Sequence, residues 1–162
     1  MERVLDSVEA TEAFAGRLAR RAAALIASGE PSFFIGLVGA LGAGKTAFVR
    51  GFVHALDPKA AGEVSSPTYA IVQPYPCTPP VVHADLYRLA SVQDLEGIGA
   101  RELLHGPGLT LVEWIDRLPE AAPSDWLEIR LAVSGEDVRS MSARAHGPRA
   151  SELLASLKTE EA

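Results

Sequence analysis

The sequence has little cysteine and no long apolar run, and both shortages exclude classes of protein. Its 162 residues include one cysteine, Cys77, so no disulfide can form within the chain, and a reducing compartment suits it. No apolar stretch approaches the roughly 20 residues of a membrane-spanning helix. Residues 1–6 lack the charged-then-apolar layout of a signal peptide. We therefore expect a cytoplasmic protein that makes no contact with a membrane.

Positive charge is also scarce. Lysine and arginine number 15 against 21 aspartate and glutamate, which gives a formal net charge of −6. Such a balance argues against direct binding to nucleic acid unless a basic partner shares the contact. A hydrophobic fraction of 48% favours a packed fold. We expect one domain over residues 1–162, with residues 158–162 as a frayed tail.

The most informative stretch runs from residue 32 to residue 56. An apolar run at 33–38 predicts a buried strand, residues 39–46 read G-A-L-G-A-G-K-T, and apolar residues at helical spacing follow. This is the G-x-x-x-x-G-K-T phosphate-binding loop (P-loop) between a strand and a helix. Its backbone N–H groups form a nest for phosphate oxygens, at the positive end of the helix dipole. The alternative is a glycine-rich turn that merely joins the two elements.

Periodicity and turn residues predict the remaining elements. Thr11 is expected to cap the first helix or to lie in its first turn. Residues 57–68 are interpreted as a loop, and the two strands that follow it as an antiparallel hairpin. The predicted elements outside the P-loop region are a helix at 9–28, strands at 69–73 and 81–88, a helix at 91–104, a strand at 109–114, a second hairpin of 126–133 with 138–143, and a helix at 148–157.

Two acids stand where a P-loop nucleotidase needs one. Glu113 ends an apolar strand, the position of a Walker B acid, and Asp85 follows a shorter apolar run. Ligands of open α/β sheets bind outside the carboxyl ends of the strands, so Glu113 and the P-loop are expected at the same edge. Either acid can hold Mg²⁺ or position the attacking water. The alternative for each is a strand-end acid that makes a local hydrogen bond.

Several other residues allow two interpretations. The segment Ser66-Pro67-Thr68 is either a switch that orders around the γ-phosphate or an ordinary lead-in to a strand. Trp114 either stacks on a base or, as we favour, fills the core. We interpret His83 as a buried histidine rather than a proton carrier. The chain has no Asn-Lys-x-Asp motif for guanine and no arginine-rich lid of a small-molecule kinase.

Taken together, these motifs resemble those of the TsaE (YjeE) family, small bacterial P-loop ATPases required for the threonylcarbamoyladenosine modification of tRNA. The resemblance extends from near Thr11 to Gly147. The segments that carry it are L-G-A-G-K-T at 41–46, S-P-T-Y at 66–69, H-A-D-L-Y-R-L at 83–89, L-V-E-W at 111–114, and Gly147. Ala40 departs from the pattern, since the family usually has an acid there, but its side chain is expected to point away from the phosphates.

The resemblance implies an α/β fold, a P-loop nucleoside triphosphate hydrolase-like three-layer domain with a mixed parallel/antiparallel sheet. It further implies ATP and Mg²⁺ as cofactors, weak ATPase activity, and TsaB and TsaD as partners, with tRNA reached only through them. A nucleotide-dependent binding switch, in which hydrolysis is incidental, is the alternative.

The resemblance also implies a role for residues at matching positions. It assigns catalysis to Lys45, Asp85 and Glu113. It assigns the binding of Mg²⁺ to Thr46, Glu113 and Asp85. Asp85 either binds the metal or orients water. The residues expected to contact the nucleotide are Thr11, Leu41, Gly42, Ala43, Gly44, Lys45, Thr46, Trp114 and Arg139. The residues expected to form the switch are Ser66, Pro67, Thr68 and Tyr69. Thr11 and Arg139 match positions on the adenine or ribose side.

Overall fold

The computed structural model describes residues 1–67 and 69–159. Within this range seven strands form one sheet, in the order β1-β7-β6-β2-β5-β4-β3. The strands are β1 (Glu2–Leu5), β2 (Ser32–Val38), β3 (Val72–Tyr75), β4 (Val81–Asp85), β5 (Gly108–Glu113), β6 (Trp126–Val133) and β7 (Arg139–His146). The helices are α1 (Val8–Ala27), α2 (Lys45–Leu56), α3 (Pro58–Ala61), α4 (Val92–Gly97), α5 (Ala100–Leu104) and α6 (Pro148–Thr159), with short 3-10 turns at Ile115–Arg117 and Pro119–Ala121.

Strand β2 lies at the centre of the sheet and pairs in parallel with both β5 and β6. Strand β4 extends the parallel part beyond β5, while β1, β7 and β3 pair antiparallel. The expected mixed sheet is therefore confirmed, as are the two hairpins. The carboxyl ends of β2, β5 and β4 meet at one edge, where the P-loop follows β2.

Alternate side chains of β2 enter two apolar cores, because a central strand is buried on both faces. Ile35 and Leu37 pack with α1, α2 and α6 on one face. Phe34 and Val38 pack with α4, α5 and the first 3-10 turn on the other. This arrangement is the three-layer domain that was expected. Within the described residues, none of the helices is long and apolar enough to cross a membrane.

Helices α1 and α2 pack unusually closely at a glycine. A Cβ atom added to Gly51 of α2 would lie 2.4 Å from both the Cα and the carbonyl oxygen of Glu12 in α1. Real Cβ atoms essentially never approach other atoms this closely. Glycine at position 51 therefore sets how near α1 lies to the helix that follows the P-loop.

The N-terminal region corrects two expectations. Strand β1 was not predicted, and the cap of α1 is Ser7 rather than Thr11. The Ser7 side chain accepts a 3.0 Å hydrogen bond from the amide of Ala10. The Thr11 hydroxyl instead donates to the carbonyl of Ser7 at 3.2 Å, which places Thr11 inside the first turn, the other position considered for it.

Elements in the middle of the chain also differ from prediction. The loop at 57–68 contains the short helix α3, whose amide at Lys59 donates to Asp57. The strand predicted at 69–73 begins only at Val72, because Ile71 adopts a φ of 67°, and it continues through Pro74, which an edge strand tolerates.

The helix predicted at 91–104 is divided into α4 and α5. Gly99 lies between them with a φ of 68°, a left-handed conformation that ends a helix. At the far end, α6 continues through Thr159, so residues 158 and 159 of the expected tail are helical. Residues 160–162 lie outside the described residues.

Candidate phosphate-binding site

Glycine gives the P-loop its backbone shape. Gly42 and Gly44 have φ angles of 79° and 102°, which side chains other than hydrogen rarely allow. Gly39 passes so close to β6 that a Cβ atom there would lie 2.5 Å from the carbonyl oxygen of Leu131. Helix α2 starts directly after Gly44 and has no side-chain cap. No capping side chain therefore occupies its first N–H groups, and they can bind an anion.

Lys45 holds its ammonium group against this loop. Its Nζ donates to the carbonyl of Gly39 at 2.6 Å and to that of Ala40 at 3.0 Å. The same Nζ lies 4.0 Å from the centroid of the Trp114 ring. Burial lowers the pKa of Lys45, opposed by the nearby charges of Glu113 and, to a smaller extent, of other acids. The loop thus presents a cation where phosphate charge would collect.

Glu113, at the end of β5, lies beside the start of α2. The Thr46 hydroxyl donates to Glu113 Oε1 at 3.2 Å, across 67 residues of sequence. Only 3% of Glu113 is exposed. The P-loop and Glu113 therefore share one edge of the sheet, as the rule for open α/β sheets led us to expect.

Asp85 lies directly opposite Glu113 in the register of β4 with β5. Its Oδ1 accepts a hydrogen bond from the amide of Tyr87, and its Oδ2 accepts one from the Ser66 hydroxyl, both at 2.8 Å. The first residue of the predicted switch is therefore joined to this acid. The adjacent carboxylates form a negative patch facing the lysine.

The rest of the predicted switch is partly described. Pro67 is buried, and its carbonyl accepts a hydrogen bond from the amide of Ile71. Tyr69 is 85% exposed, and the guanidinium of Arg88 lies 4.2 Å from its ring centroid. Thr68 lies outside the described residues.

Trp114 adopts a left-handed backbone conformation, with a φ of 60°. Its ring contacts that of Tyr87, with centroids 5.0 Å apart, and it packs against the second apolar core while lining the site. One part of Trp114 therefore fills the core, the interpretation favoured from the sequence, and its ring also faces Lys45, while stacking on a base stays a prediction.

Most of the predicted residues line one cavity of about 380 Å³. Its lining consists of Leu41, Gly42, Gly44, Lys45, Thr46, Ala47, Ser66, Asp85, Tyr87, Glu113 and Trp114. A groove of about 670 Å³ between α1 and α2 is larger, but the P-loop and both acids lie outside it. The smaller cavity is the candidate site because Lys45, Asp85 and Glu113 all line it.

Three predicted nucleotide contacts do not line this cavity: Ala43, which is 0% exposed within the P-loop, Arg139 and Thr11. Arg139, at the start of β7, contacts the outer side of the P-loop: its Nε donates to the carbonyl of Ala43 at 3.1 Å and its Nη2 to that of Gly42 at 3.3 Å. Thr11 is 2% exposed and belongs to the first turn of α1. The structure thus brings Arg139 to the loop but does not bring Thr11 into the cavity.

Two contributors were not assigned a role from the sequence. Tyr87 lines the cavity, and His83 Nε2 lies 2.8 Å from Glu113 Oε1. His83 is two residues before Asp85 on β4, so both side chains point to the same face of the sheet. The segment H-A-D-L-Y-R-L at 83–89 marked both His83 and Tyr87 through the family resemblance, but the contact of His83 with Glu113 can be identified only once the pairing of β4 with β5 is known.

The oxygen atoms of the site suit a small hard cation that also binds phosphate. The Thr46 hydroxyl and the carboxylates of Glu113 and Asp85 all line the cavity. Among the described residues, no group of three or more histidine, cysteine or acidic side chains is arranged as a metal cage. Mg²⁺ is usually bound by one or two carboxylates together with substrate phosphates, which this set fits.

Comparison with known proteins gives a consistent result. Residues 5–141 match the family model "Threonylcarbamoyl adenosine biosynthesis protein TsaE". The chain is 36% identical over 121 residues to the tRNA threonylcarbamoyladenosine biosynthesis protein TsaE of Bacillus subtilis, covering 74% of each chain. It is 33% identical over 138 residues to the protein of that name from Rickettsia bellii, covering 84% of this chain and 89% of the other.

A solved structure extends the likeness to the whole fold. The crystal structure of Bacillus subtilis YdiB superposes with a TM-score of 0.73 at 28% sequence identity. The superposition covers 100% of this chain and 96% of that one. The three-layer arrangement described above is therefore shared over its full length.

Proposed function

The chain belongs to the TsaE family, and from that premise we propose that it serves tRNA threonylcarbamoyladenosine biosynthesis as a weak Mg²⁺-dependent ATPase. In this proposal the partners are the TsaB and TsaD proteins, and ATP hydrolysis by this chain supports repeated turnover of their threonylcarbamoyl transferase. The net charge of −6 favours contact with tRNA through these partners rather than directly. The proposed compartment is the cytoplasm.

The observation that carries the proposal is the contact between Thr46 and Glu113. A hydroxyl from the start of α2 and a carboxylate from the end of β5 meet at 3.2 Å. In P-loop nucleotidases these two positions hold Mg²⁺ next to the β- and γ-phosphates. A glycine-rich turn that only joined a strand to a helix would need no acid at this point.

Nucleotide binding is assigned to the P-loop and the first turn of α2. The left-handed glycines let successive amides point inward, and the uncapped N-terminus of α2 adds its dipole. Lys45 leaves its carbonyl partners in the loop and moves its charge onto the β- and γ-phosphates. The partial burial of that charge strengthens the attraction, because water screens it less.

Mg²⁺ is assigned to Thr46 and Glu113, and when bound it neutralises charge on the phosphate oxygens. Asp85, which lies next to Glu113 on the neighbouring strand, is assigned to orient the attacking water or to bridge to the metal. The hydrogen bond from Ser66 links this acid to the segment expected to respond to the γ-phosphate.

The test is ATP turnover by the purified chain with and without TsaB and TsaD. We expect turnover above background that rises when the partners are added and is lost in Lys45→Ala. Lys59→Ala is the matched control, since Lys59 is an exposed lysine of α3 and should leave turnover unchanged. The proposal fails if the complete mixture shows background turnover and Lys45→Ala behaves identically.

A nucleotide-dependent binding switch is the second candidate, favoured by the hydrogen bond from Ser66 to Asp85. In that case ATP occupancy alone changes the partner surface and hydrolysis is incidental. Glu113→Gln distinguishes the two. If this variant binds ATP without cleaving it and still supports repeated tRNA modification, the switch is correct; if modification stops after a single round, hydrolysis is required.

A further inference from the structure

His83 is an interior histidine that contacts a carboxylate of the candidate site. It lies on β4 with 0% of its surface exposed, and its Nε2 is 2.8 Å from Oε1 of Glu113. The same Oε1 accepts the hydrogen bond from the Thr46 hydroxyl. One oxygen of Glu113 is thus held by donors from two sides, one on α2 and one on β4.

The partners of the imidazole ring fix its tautomer. A carboxylate oxygen only accepts hydrogen bonds, so Nε2 must carry the hydrogen in this contact. Nδ1 is buried and has no hydrogen-bond partner among the described residues. The ring of Tyr75 stacks against the imidazole, with centroids 6.4 Å apart and the planes 26° from parallel. A hydrogen on Nδ1 would therefore be buried without an acceptor, which is costly.

We propose that His83 is a positioning residue, which fixes the Glu113 carboxylate beside Thr46 through the Nε2–H tautomer before Mg²⁺ and nucleotide bind. This inference rests on the proposed function, because it concerns the acid assigned there to the metal. Without His83, Thr46 would be the one remaining hydrogen-bond donor to Oε1 of Glu113 among the described residues. Hydrogen-bond partners that orient a ligating side chain commonly change metal affinity by about 10- to 100-fold when they are removed.

A histidine that merely filled the core would behave differently. Its replacement by an apolar side chain of similar bulk would change the stability of the fold but not the contribution of Mg²⁺ to nucleotide affinity. The Mg²⁺-linked gain, the ratio of ATP-analogue affinities with Mg²⁺ and with chelator, separates the two roles. A non-hydrolysable ATP analogue and titration calorimetry give this ratio without any dependence on turnover.

Three variants form the experiment. His83→Leu removes the donor, His83→Gln restores an N–H near the position of Nε2, and Thr110→Val is the matched control. Thr110 is 3% exposed on β5, and its hydroxyl donates to the carbonyl of Leu104, so its loss also removes a buried hydrogen bond but none at Glu113. We expect His83→Leu to lower the Mg²⁺-linked gain about 10-fold. His83→Gln should recover most of the gain, and Thr110→Val should keep all of it.

A second measurement uses the unaltered protein, so the test does not depend on whether His83→Leu folds. Long-range ¹H–¹⁵N correlation spectra of the imidazole distinguish the two tautomers, and we expect the Nε2–H pattern for His83. An Nδ1–H pattern overturns the proposal, as does a Mg²⁺-linked gain in His83→Leu equal to that of the unaltered protein.

The outcomes also separate this inference from the proposed function. If the unaltered chain binds the analogue with no gain from Mg²⁺, the assignment of metal to Thr46 and Glu113 fails, and the positioning role fails with it. If the unaltered chain shows the gain and His83→Leu retains it, only the positioning role fails.

Discussion

Arg139 donates a hydrogen bond from Nε to the carbonyl of Ala43 at 3.1 Å, although 96 residues separate the two in sequence. Its Nη2 reaches the carbonyl of Gly42 as well. A side chain from the antiparallel part of the sheet thus holds the outer side of the P-loop. Because the guanidinium contacts two carbonyls of the loop itself, we expect Arg139 to support nucleotide binding by ordering the backbone.

We predict that Arg139→Ala lowers the affinity for an ATP analogue about 10-fold, equivalent to the loss of about one hydrogen bond to a charged group. The reason is that residues 39–44 lose an attachment to β7. Amide hydrogen exchange of these residues in nucleotide-free protein should become faster. Arg144→Ala, an exposed arginine on the same strand, is the control. Unchanged exchange combined with weaker binding would show instead that Arg139 contacts the nucleotide directly.

The Ser66 hydroxyl joins the predicted switch segment to Asp85, so its removal should loosen that segment. We predict that Ser66→Ala speeds amide exchange over residues 63–67 and 69–71, with a local change of about 1 kcal/mol. Ser65→Ala, at the neighbouring exposed serine, should have no such effect. Equal exchange rates in the two variants would mean that the contact between Ser66 and Asp85 does not order the segment.

The close packing of α1 on α2 leaves no room for a side chain at position 51. We predict that Gly51→Ala lowers the free energy of unfolding by about 2 kcal/mol, because the backbone of Glu12 must move away. Urea denaturation measures the change. Gly97→Ala is the matched control: a Cβ atom on this helical glycine meets nothing within 4 Å, so the variant should be as stable as the original or slightly more so. A stable Gly51→Ala would show that α1 shifts at little cost.

Asp125 anchors the start of α6 and gives the fold a dependence on pH. Burial opposes its ionisation, but hydrogen bonds from the amides of Ala150 and Arg149 and from the Arg149 side chain outweigh burial and lower the pKa of Asp125 below its usual 3.8. A carboxyl whose folded pKa is lowered stabilises the fold above its unfolded pKa, and this contribution disappears as the pH falls through the folded value.

We therefore predict that Asp125→Asn lowers the free energy of unfolding by about 1–3 kcal/mol at pH 7, and that the difference from the unaltered protein shrinks below pH 3.8. Urea unfolding at pH 7 and near pH 3 tests both statements. Asp137→Asn, at an exposed turn acid, is the control. A difference that stayed constant between the two pH values would contradict the assigned role of the carboxylate.

The sequence was most informative where the structure depends on neighbours along the chain. The P-loop, its flanking strand and its helix are specified by glycines and by apolar spacing within 25 residues. The sequence also predicted that the P-loop and Glu113 lie at the same edge of the sheet, because ligands of open α/β sheets bind outside the carboxyl ends of the strands. Helix α1 was found, but the sequence left Thr11 either at the cap or in the first turn, because serine and threonine are both acceptable cap residues and only the backbone geometry shows that Ser7 is the cap.

Most features that the sequence did not predict depend on contacts between residues far apart in the chain. Strand β1 has four residues, most of its side chains are outside the core, and it exists through pairing with β7, more than 130 residues later. The contacts of Arg139 with the P-loop and of His83 with Glu113 likewise require the pairing of strands far apart in sequence. The late start of β3 depends on the left-handed conformation of Ile71, which a β-branched residue rarely adopts and which periodicity cannot indicate.

The central place of β2 has a consequence for synthesis on the ribosome. Its neighbours β5 and β6 begin at Gly108 and Trp126, so the strand that leads into the P-loop has no partner while the intervening residues are being translated. Until then β2 lacks both of the strands that flank it in the sheet, and unpaired strand edges favour aggregation during folding. Because the proposed nucleotide site combines the P-loop with Glu113 at the end of β5, it is complete only after both of these parts of the chain have been translated.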